Sequence, residues 1–173
     1  MKQETKDHSK KLIRSLKIMF RVEHLYKHVQ ESVKVEWNLG KRCNYDCSYC
    51  PAEIHDNFSK HTDIKILKNA VDDLIGSMPD LRTKVRISFT GGEPCVHPKF
   101  LELLEYARPK VSWLNVTTNG TRTPKYYTHL LNNLVDHLVF SLHFEYDYQK
   151  VVKSILRAAQ GSQNKNILVH VMM

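Results

Sequence analysis

The chain has 173 residues, enough for one domain with a substantial core and short for two. It carries 26 Lys+Arg against 18 Asp+Glu, a net charge of +8, but much of the excess lies in the first 27 residues, so nucleic acid is not indicated beyond a basic N-terminus. No apolar run approaches the ~18 residues that span a membrane, no secretory signal stands at the N-terminus, and four cysteines do not make a disulfide scaffold. The expected compartment is a reducing one, the cytoplasm.

Residues 1–32 read as a polar tail followed by an amphipathic helix, with Leu12, Leu16, Met19, Val22, Tyr26 and Val29 along one stripe. A repeating grammar then fills residues 33–173. Residues 33–39 alternate and are β-rich, predicting a strand that runs into a cluster of cysteines. Residues 62–77 predict a helix capped by Thr62 or Asp63, with Gly76 near its end. A second strand over 84–90 closes on Gly91-Gly92, and a helix over 98–108 stops before Pro109. A third strand over 111–118 closes on Asn119-Gly120. Pro124 suits the first turn of a helix over 124–133. A strand over 138–144, a helix over 148–160 and a strand over 167–173 complete the pattern. Strands alternating with helices predict an α/β fold of βαβ units on a parallel sheet. Right-handed crossovers bring the C-terminal ends of the strands to one rim, where α/β folds gather function.

The residues at that rim carry chemistry. After the first strand comes Cys43-Asn44-Tyr45-Asp46-Cys47-Ser48-Tyr49-Cys50. A lone Cys-x-x-Cys can mean zinc, a redox dithiol or neither. Three thiols at these spacings can converge on one soft metal centre and leave a ligand position to something other than a nearby cysteine. Four-iron clusters normally take four thiolates, so a three-cysteine set leaves one iron open. After the second strand comes Gly91-Gly92-Glu93-Pro94, whose glycines let the backbone approach a ligand closely. After the third come Thr117, Thr118, Asn119 and Gly120, although Asn-Gly is also a common turn pair. Ser141 and His143 end the fourth. Cys95 reads as a small buried residue and His97-Pro98 as a helix start.

Cys43-x-x-x-Cys47-x-x-Cys50, with Tyr49 before the last cysteine, resembles the cluster loop of the radical S-adenosylmethionine (radical SAM) enzymes. Gly91-Gly92-Glu93-Pro94 resembles their glycine-rich motif, and Thr118-Asn119-Gly120 is similar to a further element of theirs. The resemblance covers residues 33–173. It implies a partial (β/α) barrel of six strands, with a 4Fe-4S cluster held by Cys43, Cys47 and Cys50. It implies S-adenosylmethionine (SAM) on the open iron, cleaved reductively to start radical chemistry on a peptide, cofactor precursor or nucleoside. The Gly91-Gly92 edge would hydrogen-bond the SAM amino group, with Glu93 nearby and Pro94 stiffening the turn, and Tyr49 would lie beside the adenine. Asn119 and Ser141 would serve its ribose or carboxylate. An electron donor such as a flavodoxin or ferredoxin is implied as a partner.

Five strands are predicted where the resemblance implies six. The expectation is a C-terminally short core: a fragment, a sheet closed by a partner chain, or a reduced version of the fold. Two other readings stand beside the enzyme. One is a non-catalytic iron–sulfur and SAM-binding protein that needs a partner chain. The other is a zinc module in which a histidine such as His55 joins the three cysteines.

Overall fold

The computed structural model describes residues 32–77 and 84–172; the helix expected before residue 33 lies outside them. Strand β1 spans Val33–Asn38, helix α1 Ile64–Gly76, strand β2 Val85–Thr90, helix α2 Phe100–Ala107 and strand β3 Trp113–Thr118. Helix α3, Pro124–His129, runs into a π-helical turn at Leu130–Leu134. Strand β4, His137–His143, helix α4, Tyr148–Gly161, and strand β5, Ile167–Met172, follow.

Local chemistry accounts for most boundaries. The Asp63 carboxylate accepts the Lys65 N–H at the start of α1, and Asp147 does the same for Lys150 at the start of α4. Thr123 caps α3, whose Pro124 sits in the first turn, where its missing N–H costs nothing. Helix α2 begins two residues later than its sequence pattern, because Pro94–Val96 forms a 3-10 turn first. Pro109 does not stop the winding at once. It enters a 3-10 turn, Arg108–Lys110, whose opening positions need no donor.

The five strands form one sheet in sequential order, β1-β2-β3-β4-β5. The parallel registers set Ile87 beside Leu114, Val116 beside Leu138 and Val139 beside Leu168. Side chains alternate across a strand, and here one face takes the core. Val85, Ile87, Phe89, Leu114, Val116, Leu138 and Phe140 are fully buried, and they join Val71, Phe100, Leu103, Leu104, Tyr127, Leu130 and Ala158 of the helical layer in one cluster. Each such side chain is worth about 1.5–3 kcal/mol in burial. The other face carries Arg86, Ser88, Trp113, Asn115, Thr117, His137 and Ser141, none of them fully buried. Sequential order with the core on one face is the winding of a barrel wall. A doubly wound sheet would reverse its order and bury both faces.

Asp136 secures the sheet's lower edge. Its carboxylate accepts the Leu114 N–H at 2.7 Å and pairs with Arg108. Asp136→Ala should therefore lower stability by about 1–3 kcal/mol, the cost of orphaning a donor in this half-buried setting; a thermal melt against wild type measures it. At the other end of the sheet, β5 exposes Leu168, Val169 and Val171.

Candidate functional site

Three rim loops meet around a cleft of about 260 Å³ at the C-terminal ends of the strands. Cys43, Cys47 and Cys50 line it, with Gly91, Gly92, Glu93, Asn119, Ser141 and His143. Tyr45, His55 and Thr117 line it as well. Pro94 and Tyr49 are not among its lining residues. Pro94 is buried behind the rim, where it begins the 3-10 turn.

The first two loops are joined through backbone. Leu39 N–H donates to Thr90 O at 2.9 Å, Gly92 N–H to Gly40 O at 2.8 Å and Glu93 N–H to Arg42 O at 2.9 Å. This pairing explains the glycines. A Cβ on Gly92 would stand 2.3 Å from Lys41 O and 2.4 Å from Arg42 O, while Gly91 adopts φ +123° with Asn38 Oδ1 2.7 Å from where its Cβ would be. The close approach they permit is to the segment that leads into Cys43. A second clasp holds Cys43 from the far side: its N–H donates to Asp56 O at 2.7 Å, and Asp56 N–H donates to Lys41 O at 2.9 Å.

Glu93 joins the second loop to the third. Its carboxylate is buried and accepts the Cys95 N–H at 2.9 Å, the Thr118 hydroxyl at 2.8 Å and the Asn119 N–H at 2.5 Å. Burial pushes this carboxyl above the ordinary range, and the three donors pull back against the shift. A carboxyl raised on folding holds its proton more tightly in the native state. Its contribution to stability is then greatest below the unfolded value of about 4.3 and falls as pH rises through the folded value. Glu93→Gln should lower stability at neutral pH by about 1–3 kcal/mol, since one amide nitrogen must face a donor. The deficit relative to wild type should grow as pH is lowered toward 4, because only wild type gains on protonation; denaturant melts at several pH values test this.

Asn119 reaches the cysteine loop. Its side-chain amide donates to Asn44 Oδ1 at 2.9 Å and lies 3.9 Å from Cys43 Sγ. Tyr45 N–H also points at that sulfur, at 3.4 Å. On the opposite side His143 Nδ1 lies 3.3 Å from Cys47 Sγ and bonds the Tyr49 hydroxyl, and the two rings lie parallel with centroids 5.9 Å apart. Burial pushes the His143 imidazole below its usual value, which leaves it neutral near pH 7. His55 is engaged at both ring nitrogens, by Asp46 Oδ1 at 3.0 Å and Pro51 O at 3.4 Å.

The donor set fits an iron–sulfur cluster. All four cysteines are free thiols, three of them on one cleft, and N–H groups approach the Cys43 sulfur as they approach thiolate ligands. Among the described residues, no three His, Cys, Asp or Glu side chains gather around a single ion. Burial raises the pKa of Cys43 and of Cys47, so ligation must displace protons. Cys95 is buried in the core away from the cleft.

A singly wound, five-strand β/α sheet with three thiols and a glycine pair on its C-terminal rim defines a class, the partial barrels of the radical SAM type. The family model for the Radical SAM superfamily matches residues 37–167, and the chain belongs to that superfamily. Its members bind a 4Fe-4S cluster and SAM. Among curated proteins the chain is similar to the Fe-coproporphyrin III synthase of Methanosarcina barkeri, at 35% identity over 50% of this chain and 21% of that protein. It is also similar to the S-adenosylmethionine-dependent nucleotide dehydratase of Selenomonas ruminantium, at 34% identity over 51% of this chain and 30% of that protein. The structure of BtrN in complex with AdoMet and 2-DOIA superposes with a TM-score of 0.59, at 22% identity, over 80% of this chain and 57% of that one. The chain thus spans under a third of these two curated relatives' length. Among the described residues no helix is long and apolar enough to cross a membrane.

Proposed function

We propose that this chain is the cofactor-binding core of a radical SAM enzyme, working in the reducing cytoplasm. Cys43, Cys47 and Cys50 hold a 4Fe-4S cluster whose fourth iron is left to SAM. Bound there, the cluster and SAM would supply one-electron reductive cleavage of SAM, the electron coming from an external donor, to start radical chemistry on a substrate. The observation that carries the reading is the convergence of three free thiols with Gly91, Gly92 and Ser141 on one cleft.

The chain's own residues do the holding. Gly91 and Gly92 pin the entry to the cysteine loop, and the edge they form just past β2 would receive SAM's amino group. Glu93 fixes Thr118 and Asn119, and Asn119 in turn steadies Asn44 and the Cys43 sulfur. Ser141 on β4 and Asn119 on the third loop, both in the cleft, serve the ribose or carboxylate of SAM in this reading. Tyr49, stacked on His143 beside the cleft, is the residue this reading sets next to the adenine, and Pro94 stiffens the turn after Glu93. An acceptor site for a flavodoxin or ferredoxin electron donor belongs to the same reading. The exposed Leu168, Val169 and Val171 support a further element covering the β5 edge, from the same or a partner chain.

The relatives named above differ in what they are named for, a porphyrin synthase and a nucleotide dehydratase, so the substrate is the open variable. The test is reconstitution with iron and sulfide without oxygen, followed by reductant and SAM. Deoxyadenosine and methionine are the expected products. A brown protein that never cleaves SAM would move the reading to a non-catalytic cluster protein. A colourless one that keeps stoichiometric zinc would overturn it.

A further inference from the structure

We propose that Glu145 and Tyr146, on the turn between β4 and α4, are positioning residues that set the cysteine loop for its cluster. The inference rests on the cofactor reading above and extends it to residues that no motif of the sequence marks.

The loop between Cys43 and Cys50 does little to hold itself. Among the described residues, no backbone N–H of residues 44–49 donates to a backbone carbonyl. Residues 97 and 100 positions away in sequence supply the missing partners. The Glu145 carboxylate accepts the Ser48 N–H at 2.8 Å through one oxygen and the Ser48 hydroxyl through the other. The Tyr146 hydroxyl accepts the Asp46 N–H. The Tyr146 ring stacks on Tyr45 with centroids 3.7 Å apart and planes 5° from parallel. Three residues of the loop, Tyr45, Asp46 and Ser48, are therefore seized on either side of Cys47 by two neighbours in one turn. That turn is itself braced, since Tyr146 N–H donates to His143 O at 3.3 Å and Tyr148 N–H to Tyr146 O at 2.7 Å.

Two consequences follow from this geometry. Ligands held by a rigid outer shell bind a metal centre more tightly, and loss of such a partner typically costs 10–100-fold. The Glu145 carboxylate also places a negative charge beside the residue that follows Cys47. Reduction of a cluster adds negative charge, so this carboxylate disfavours it and holds the potential low.

The test uses the full chain in two states. In the protein without iron, hydrogen exchange at Asp46 and Ser48 should be slow in wild type. It should speed up at Ser48 in Glu145→Ala and at Asp46 in Tyr146→Phe, with β2–β4 protection unchanged. After anaerobic reconstitution, Glu145→Ala should lose iron to a chelator roughly tenfold faster than wild type. Glu145→Gln, which keeps an acceptor but not the charge, should retain iron better than Glu145→Ala and shift the midpoint potential to a less negative value. Tyr146→Phe should retain the stack and more iron than Tyr146→Ala. Unchanged exchange at Asp46 and Ser48 in the variants would overturn the clamp. Faster exchange with unaltered iron retention and potential would overturn its role in positioning the cluster. A wild type that protects these amides yet takes up no iron would overturn the cofactor reading, and the positioning role with it.

Discussion

Cys47→Ala is expected to abolish cluster assembly, with iron after reconstitution falling from about four per chain to near zero and no deoxyadenosine formed from SAM. The size of the effect follows from the site's composition. Only three thiols line the cleft, and the fourth cysteine, Cys95, is shut into the core between Glu93 and the helical layer. No spare thiolate can move in. Cys47 is also buried and in contact with His143, so its loss removes a ligand together with one of the loop's contacts with β4. Cys95→Ala is the matched control. It should cost some packing energy in a thermal melt while leaving iron content near the wild-type level. A Cys47→Ala protein that keeps a full cluster would falsify the ligand assignment.

Gly92→Ala is expected to be nearly as damaging, although it removes no ligand. The added methyl would lie 2.3 Å and 2.4 Å from two backbone carbonyl oxygens, Lys41 O and Arg42 O, and neither can rotate aside as a side chain would. Overpacking of this kind costs about 1–3 kcal/mol or more. The strain is relieved by parting the two loops, which breaks the Gly92-to-Gly40 and Glu93-to-Arg42 hydrogen bonds and shifts Cys43. Iron uptake should fall together with SAM binding. A variant that loads iron normally and loses only SAM affinity would show instead that Gly92 serves the ligand alone. Iron content and SAM affinity measured on one preparation separate these outcomes.

The division between sequence and structure runs along physical lines. Periodicity over short windows depends on local burial, so the five strands and four helices after residue 33 were all legible, most boundaries within two residues and the end of α3 four residues early, where a π turn takes over. The shifts around α2 and at the end of α3 coincide with 3-10 turns at Pro94–Val96 and Arg108–Lys110 and a π turn at Leu130–Leu134. The cysteine spacing and Gly91–Pro94 were legible because both are contiguous. What faced them was not. Glu93 was legible as a carboxylate near the cleft, but not its three partners, the chain's own Cys95, Thr118 and Asn119. Glu145 and Tyr146 gave no signal at all, since an acid and an aromatic after a strand look like any solvated turn.

By itself the sequence determined the alternation of strands and helices and the spacing of the thiols, because both are properties of residues close together in the chain. Only the tertiary structure decided what those motifs lean on. The contacts that hold the cysteine loop join residues tens of positions apart, Gly92 to Gly40, Asn119 to Asn44 and Glu145 to Ser48. Such pairings exist only once parallel crossovers have carried every strand end to the same rim.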